Sequence, residues 1–176
     1  MVMLSVLAFC RIVIGLVFGY SFLRKVMSIP TFEQTITQFR ILPKRFSRAA
    51  ALLFLAGEFA VALLVTVGGP FLEPGFFLSI FLLLLFCSAL VSVLHRDIQT
   101  SCNCFGSTKK PVAALEVWRD AGFIICASIG SGVLIRSNNG QGHLSLAEWS
   151  LIGFGAVIFL VLWLHLDEIV QLFQPG

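Results

Sequence analysis

Cys102 and Cys104 stand one residue apart in "SCNCFGST" at 101–108, and they are the residues best suited to chemistry. Thiolate is the reactive form of cysteine, and nearby positive charge favours it. Lys109 and Lys110 follow the pair, and Arg96 precedes it. A disulfide between residues this close in sequence closes a very small, strained ring, and strained exposed disulfides are oxidising and labile. Gly106, beside Phe105, permits the unusual backbone angle that a tight loop around such a ring needs. The pattern suits exchange with another protein's thiols better than a permanent staple. Two other readings stay open: unreactive thiols with a structural role, and metal ligation. A structural zinc site wants four ligands, and only His95 is near in sequence, so no metal site is assigned.

The next candidates are charges inside apolar runs, where an ionisable side chain is costly, faces the bundle interior and normally has a partner. Arg11 lies about seven residues into the first run, and Glu58 about nine from the matching end of the second. At 1.5 Å per residue those depths are roughly 10 and 14 Å, which predicts a buried Arg11–Glu58 ion pair. The functional alternative is that Glu58 takes or relays a proton. Cys10, Cys87 and Cys126 lie within apolar runs and read as small core residues. Asp97 and Asp120 flank the cysteine loop and read as surface partners of Arg96 or Arg119. His143 and His165 are isolated, and neither a Ser/His/Asp set, an HExxH motif nor a phosphate-cradling glycine loop is present. "GSG" at 130–132 reads as an aid to helix contact.

These residues need elements to position them, and composition restricts the choice. Of 176 residues, 58% are hydrophobic and 12% charged, with a mean hydropathy of +0.97. Soluble domains run at about 45–50% and about 25%, so this chain has too little polar surface for a water-soluble globule. Eighteen Phe against one Tyr fit a lipid-facing surface. Apolar runs long enough to span a bilayer occupy about 4–23, 49–67, 75–94, 117–135 and 149–166. The reading is all-α: one transmembrane domain over 1–176, with a four-helix core, a fifth C-terminal span and an interfacial helix. The first run has no basic region before it and is too long for a signal-peptide core, so a retained helix is expected.

The interfacial helix is expected over about 31–42. There Phe32, Ile36, Phe39, Ile41 and Leu42 recur at helical spacing, with Pro30 and Pro43 as brackets and Thr31 as N-cap. Connectivity puts this segment, the cysteine loop and the C-terminus on one side of the membrane. That side also carries Arg24, Lys25, Arg40, Lys44, Arg45, Arg48, Arg96, Lys109, Lys110 and Arg119. The positive-inside rule makes it cytoplasmic; attraction of basic residues to anionic headgroups is the other account of the asymmetry. Basic residues at helix ends, rather than in one soluble patch, exclude a nucleic-acid partner.

Several of these segments together resemble a known family. Arg11, "FGYSFLRKV" at 18–26, "TFEQTITQFRILP" at 31–43 and Glu58 look like the DoxX-like membrane proteins, and "CNCFG" at 102–106 followed by "WRDAGF" is similar to the MauE branch. The resemblance runs from about Arg11 to about Ile135, and the Cys-x-Cys-Phe-Gly element is its specific part. It implies a bacterial inner-membrane bundle arranged like vitamin K epoxide reductase and DsbB type disulfide enzymes. It further implies that Cys102 and Cys104 exchange electrons with a thioredoxin-like partner, as in maturation of the disulfide-rich small subunit of methylamine dehydrogenase. Arg11, Glu58, Phe105 and Gly106 would support the pair, and a quinone would be the electron acceptor or donor. Such maturation wants the loop facing the periplasm, opposite to the positive-inside reading. The rival function is non-enzymatic, a helical subunit or assembly factor of a larger membrane complex.

Overall fold

The computed structural model describes residues 2–39, 44–96, 114–136 and 145–165, and those residues are almost entirely helical, with no strand among them. Six α-helices follow one another: α1 Val2–Val26, α2 Ile29–Gln38, α3 Lys44–Val67, α4 Leu72–His95, α5 Ala114–Arg136 and α6 Leu146–Leu164. All but α2 are long and apolar enough to cross a membrane. In lipid the backbone must satisfy its own polar groups, which leaves the helix as the local solution for such runs. The protein is therefore a multi-pass membrane bundle.

Helix α1 is the hub. It packs against α3, α5 and α6, while α4 packs against α3 and α5. Its buried positions include Leu7, Cys10, Ile14, Phe18, Ser21 and Lys25, a stripe with steps of three and four that faces the bundle throughout. Val13, Ile14, Val61, Phe76, Phe123 and Ala127 are fully enclosed and form the centre of the core. The fifth span is peripheral: 11% of the α6 span is buried inside the protein, against 39% for α1.

The helix ends show why two predicted boundaries shift. Helix α2 begins at Ile29, before the expected Thr31 cap, because Pro30 occupies the first turn, where its missing N–H is not needed. Its buried face is Phe32, Thr35 and Phe39, with Gln34 and Gln38 exposed, as an interfacial helix requires. Helix α6 starts before the expected Trp149 because Ser145 and Glu148 form a capping box: the Glu148 amide donates to Ser145 Oγ, and the Ser145 amide donates to Glu148 Oε2. Between α3 and α4, Gly68 and Gly69 have φ of 74° and 58°, a region that side-chain-bearing residues rarely adopt.

Close approach of α1, α4 and α5 depends on Gly130. A Cβ there would stand 2.7 Å from the Phe76 ring and 3.0 Å from the Cys10 Cβ, whereas one at Gly132 would meet nothing. Gly130→Ala is expected to lower the melting temperature in detergent, costing about 1–3 kcal/mol through overpacking. Gly132→Ala should leave stability unchanged or slightly raised, because alanine is the better helix former. Thermal unfolding followed by circular dichroism compares the two.

Candidate functional site

Four polar side chains meet inside the bundle toward the C-terminal end of α1. Lys25 Nζ donates to Glu58 Oε1 at 2.5 Å, and Ser21 Oγ donates to the same oxygen at 2.9 Å. Ser21 and Lys25 are one turn apart on α1, so both reach the same point on α3. Asp120 of α5 lines the same small cavity, which has a volume of about 20 Å³ and is floored by Leu82 and Leu83. That is space for one water-sized molecule. Glu58 Oε2 and Asp120 Oδ2 have no hydrogen-bond partner among the described residues, although both side chains are buried.

Aromatic rings enclose the ammonium. Lys25 Nζ lies 4.8 Å from the ring centre of Phe32, 4.6 Å from Phe54 and 5.6 Å from Phe86. Ring faces attract a cation, and more strongly where water is excluded. The three rings come from α2, α3 and α4, so the interfacial helix closes the site from the headgroup side. Phe32, Phe54 and Phe86 also line an apolar cleft of about 390 Å³, together with the hydroxyl-bearing Thr35, Ser88 and Ser92.

The expected Arg11–Glu58 ion pair does not form. Arg11 Nε donates to the Val65 carbonyl at 2.8 Å, and Nη2 donates to the Thr66 carbonyl at 2.7 Å. Arg11 thereby caps the end of α3, where helix carbonyls lack internal partners and the dipole favours a cation. Gly68 allows this approach, since a Cβ there would collide with the guanidinium. An Arg11–Glu58 pair would require both helix ends to lie in one plane. In fact α1 overshoots α3, placing Arg11 level with Val65 and Glu58 about 10 Å further in at 1.5 Å per residue.

Two further expectations are corrected. Lys25, counted among the charges of the basic membrane side, is 4% exposed and faces the bundle. Asp120, read as a surface partner of an arginine, is 1% exposed. The sequence held a signal for both. Lys25 continues the stripe of Ile14, Phe18 and Ser21, and Asp120 heads a stripe of Phe123, Ala127 and Leu134.

Cys102, Cys104, Phe105 and Gly106 lie outside the described residues, as do Asp97 and His143. Their helical anchors are visible. The loop leaves α4 at His95 and enters α5 at Ala114. Asp120 is six residues into α5 and Phe86 nine before the end of α4, or about 9 and 13 Å along the helices. The buried cluster and the ends of the cysteine loop thus share one end of the bundle. Among the described residues, no group of three His, Cys, Asp or Glu side chains is placed to hold a metal ion.

Breaking a buried pair by removing one partner leaves an uncompensated charge and costs about 3–5 kcal/mol. Lys25→Met is expected to lose that much, and Lys25→Met combined with Glu58→Leu should recover most of it. Unfolding of the detergent-solubilised variants measures both. A double variant no more stable than the single one would contradict the pairing.

The family model for the methylamine utilisation protein MauE matches residues 3–133. The chain is similar to a "Methylamine utilization protein MauE" of Paracoccus denitrificans, 36% identical over 112 residues. That alignment covers 62% of this chain and 60% of the relative. No solved structure matches the chain. The matched segment contains Lys25, Glu58, Asp120 and both loop cysteines, and it ends before α6 begins. Since that segment takes in well over half of the sequence, the chain belongs to the MauE family of methylamine utilisation proteins.

Proposed function

We propose that this protein is a membrane thiol–disulfide exchanger serving methylamine utilisation. In this reading Cys102 and Cys104 form the exchange pair, and the Ser21–Lys25–Glu58–Asp120 cluster manages protons. The observation that carries it is the position of that cluster, about 9 Å along α5 from the point where the cysteine loop rejoins the bundle. Disulfide exchange moves protons together with electrons, and one ammonium facing two buried carboxyl groups leaves room for a proton. The relative's name ties the family to methylamine utilisation. A thioredoxin-like partner, as in maturation of the methylamine dehydrogenase small subunit, is the partner this chemistry suits.

A thiolate of the partner's dithiol attacks one sulfur of the Cys102–Cys104 disulfide, forming a mixed disulfide and freeing the other cysteine as a thiolate. The partner's second thiol then attacks the mixed disulfide and leaves oxidised. Two electrons and two protons have passed to the cysteine pair. Returning the pair to its disulfide needs a two-electron acceptor. The cleft bounded by Phe32, Phe54 and Phe86 fits a quinone ring, being apolar, rimmed by hydroxyl groups and within the size range of small-molecule sites. A bound quinone would supply two-electron, two-proton acceptance; Ser92 would donate to one of its oxygens, since the Thr35 and Ser88 hydroxyls donate to the Thr31 and Leu85 carbonyls.

Trapping tests the reading. With the partner supplied as its disulfide, Cys102→Ser or Cys104→Ser keeps one thiolate that attacks that disulfide and lacks the neighbour that would resolve the product, so a mixed disulfide should accumulate, visible as a reductant-sensitive adduct on gels. If neither variant traps anything and both remain active, the exchange reading fails in favour of a scaffold or assembly factor. Asp120→Asn should slow turnover about a hundredfold, within the span of general acid–base contributions, while leaving the adduct intact.

A further inference from the structure

A second pair of cysteines lies within the membrane-spanning helices. Cys10 of α1 and Cys126 of α5 are both free thiols, and their side chains are close enough to interact. Cys10 is 3% exposed, in the apolar core with Phe76 and Ile14, and Cys126 packs against that core from its edge. Gly130 brings the two helices together here. It follows Cys126 by one turn on α5, and a Cβ added to it would stand 3.0 Å from the Cys10 Cβ. The two thiols thus face each other across a close helix pair, and a disulfide between them needs Cβ atoms about 3.5–4.5 Å apart. Cys87 of α4 provides the contrast, since it is a half-buried free cysteine that pairs with neither.

We propose that Cys10 and Cys126 form a buried dithiol, a modification site at which a membrane-permeant two-electron oxidant joins α1 to α5 through a disulfide. Both S–H bonds break and one S–S bond forms. The two electrons and two protons leave with the oxidant, reducing a quinone to a quinol or an azo compound to a hydrazine. The apolar surroundings favour an oxidant dissolved in the bilayer over a charged one in water. The link would bolt the hub helix to the helix carrying Asp120, about 9 Å along α5 from that carboxyl group. This site stands whether or not Cys102 and Cys104 exchange disulfides.

The experiment uses the full chain in membranes, treated with the permeant azo oxidant diamide, denatured with N-ethylmaleimide and mapped by peptide mass spectrometry. Added glutathione, fully converted to its disulfide, shows that the dose suffices. The expected product is a Cys10–Cys126 linked peptide, lighter than the dithiol by two hydrogens and lost on reduction, with Cys87 alkylated. Cys10→Ser should abolish that product, and Cys102→Ser with Cys104→Ser should leave it unchanged. Alkylation of both Cys10 and Cys126 in the oxidised wild-type sample would overturn the proposal. So would linkage of either residue mainly to another cysteine.

Discussion

An ammonium group held away from both water and headgroups is the constraint around which this bundle is arranged. Moving one ion out of water costs several kcal/mol even after relaxation, and only close, well-oriented partners return that cost. Lys25 has a carboxylate from α3 and ring faces from α2, α3 and α4. Four helices therefore converge on one atom. Loss of any contributor leaves the others around an unbalanced charge. The interaction thus specifies how α2 docks and how far α1 slides along α3.

Arg11 fixes the other end of the same helix pair. It offers its guanidinium to the final carbonyls of α3 and stands 5.8 Å from the Trp149 ring of α6. Arg11 and Lys25 of α1 are thus satisfied by different parts of α3, one by backbone and one by side chain. Such a two-point attachment admits a single register, because sliding α1 by one turn would break both attachments together. Trp163 of α6 donates to the Arg119 carbonyl of α5 at 3.2 Å, so the peripheral helix is pinned near each of its ends. The family match stops before this helix, and the bundle packs its core without burying much of it.

The arrangement also relates the charged cluster to the cysteine loop. A polar pocket sealed by phenylalanines lies below the helix ends that carry the loop, with an apolar cleft against the same rings. Lys25 also leaves the surface account of charge asymmetry, since its ammonium neutralises Glu58 and does not face the headgroups.

The amino-acid order alone determined the membrane class, the five spans, the interfacial helix and the Cys102–Cys104 element. Each is a local property, set by hydropathy, turn residues and short spacing, so no neighbouring helix had to be known. The partners of Arg11 and Glu58, the burial of Asp120 and Lys25, and the meeting of Cys10 with Cys126 were decided only by tertiary structure. These depend on the axial offset between helices, which is set by how side chains such as Phe76 fill the space over Gly130. An offset of five residues moves a side chain about 7.5 Å, enough to exchange one partner for another, and hydropathy is blind to it.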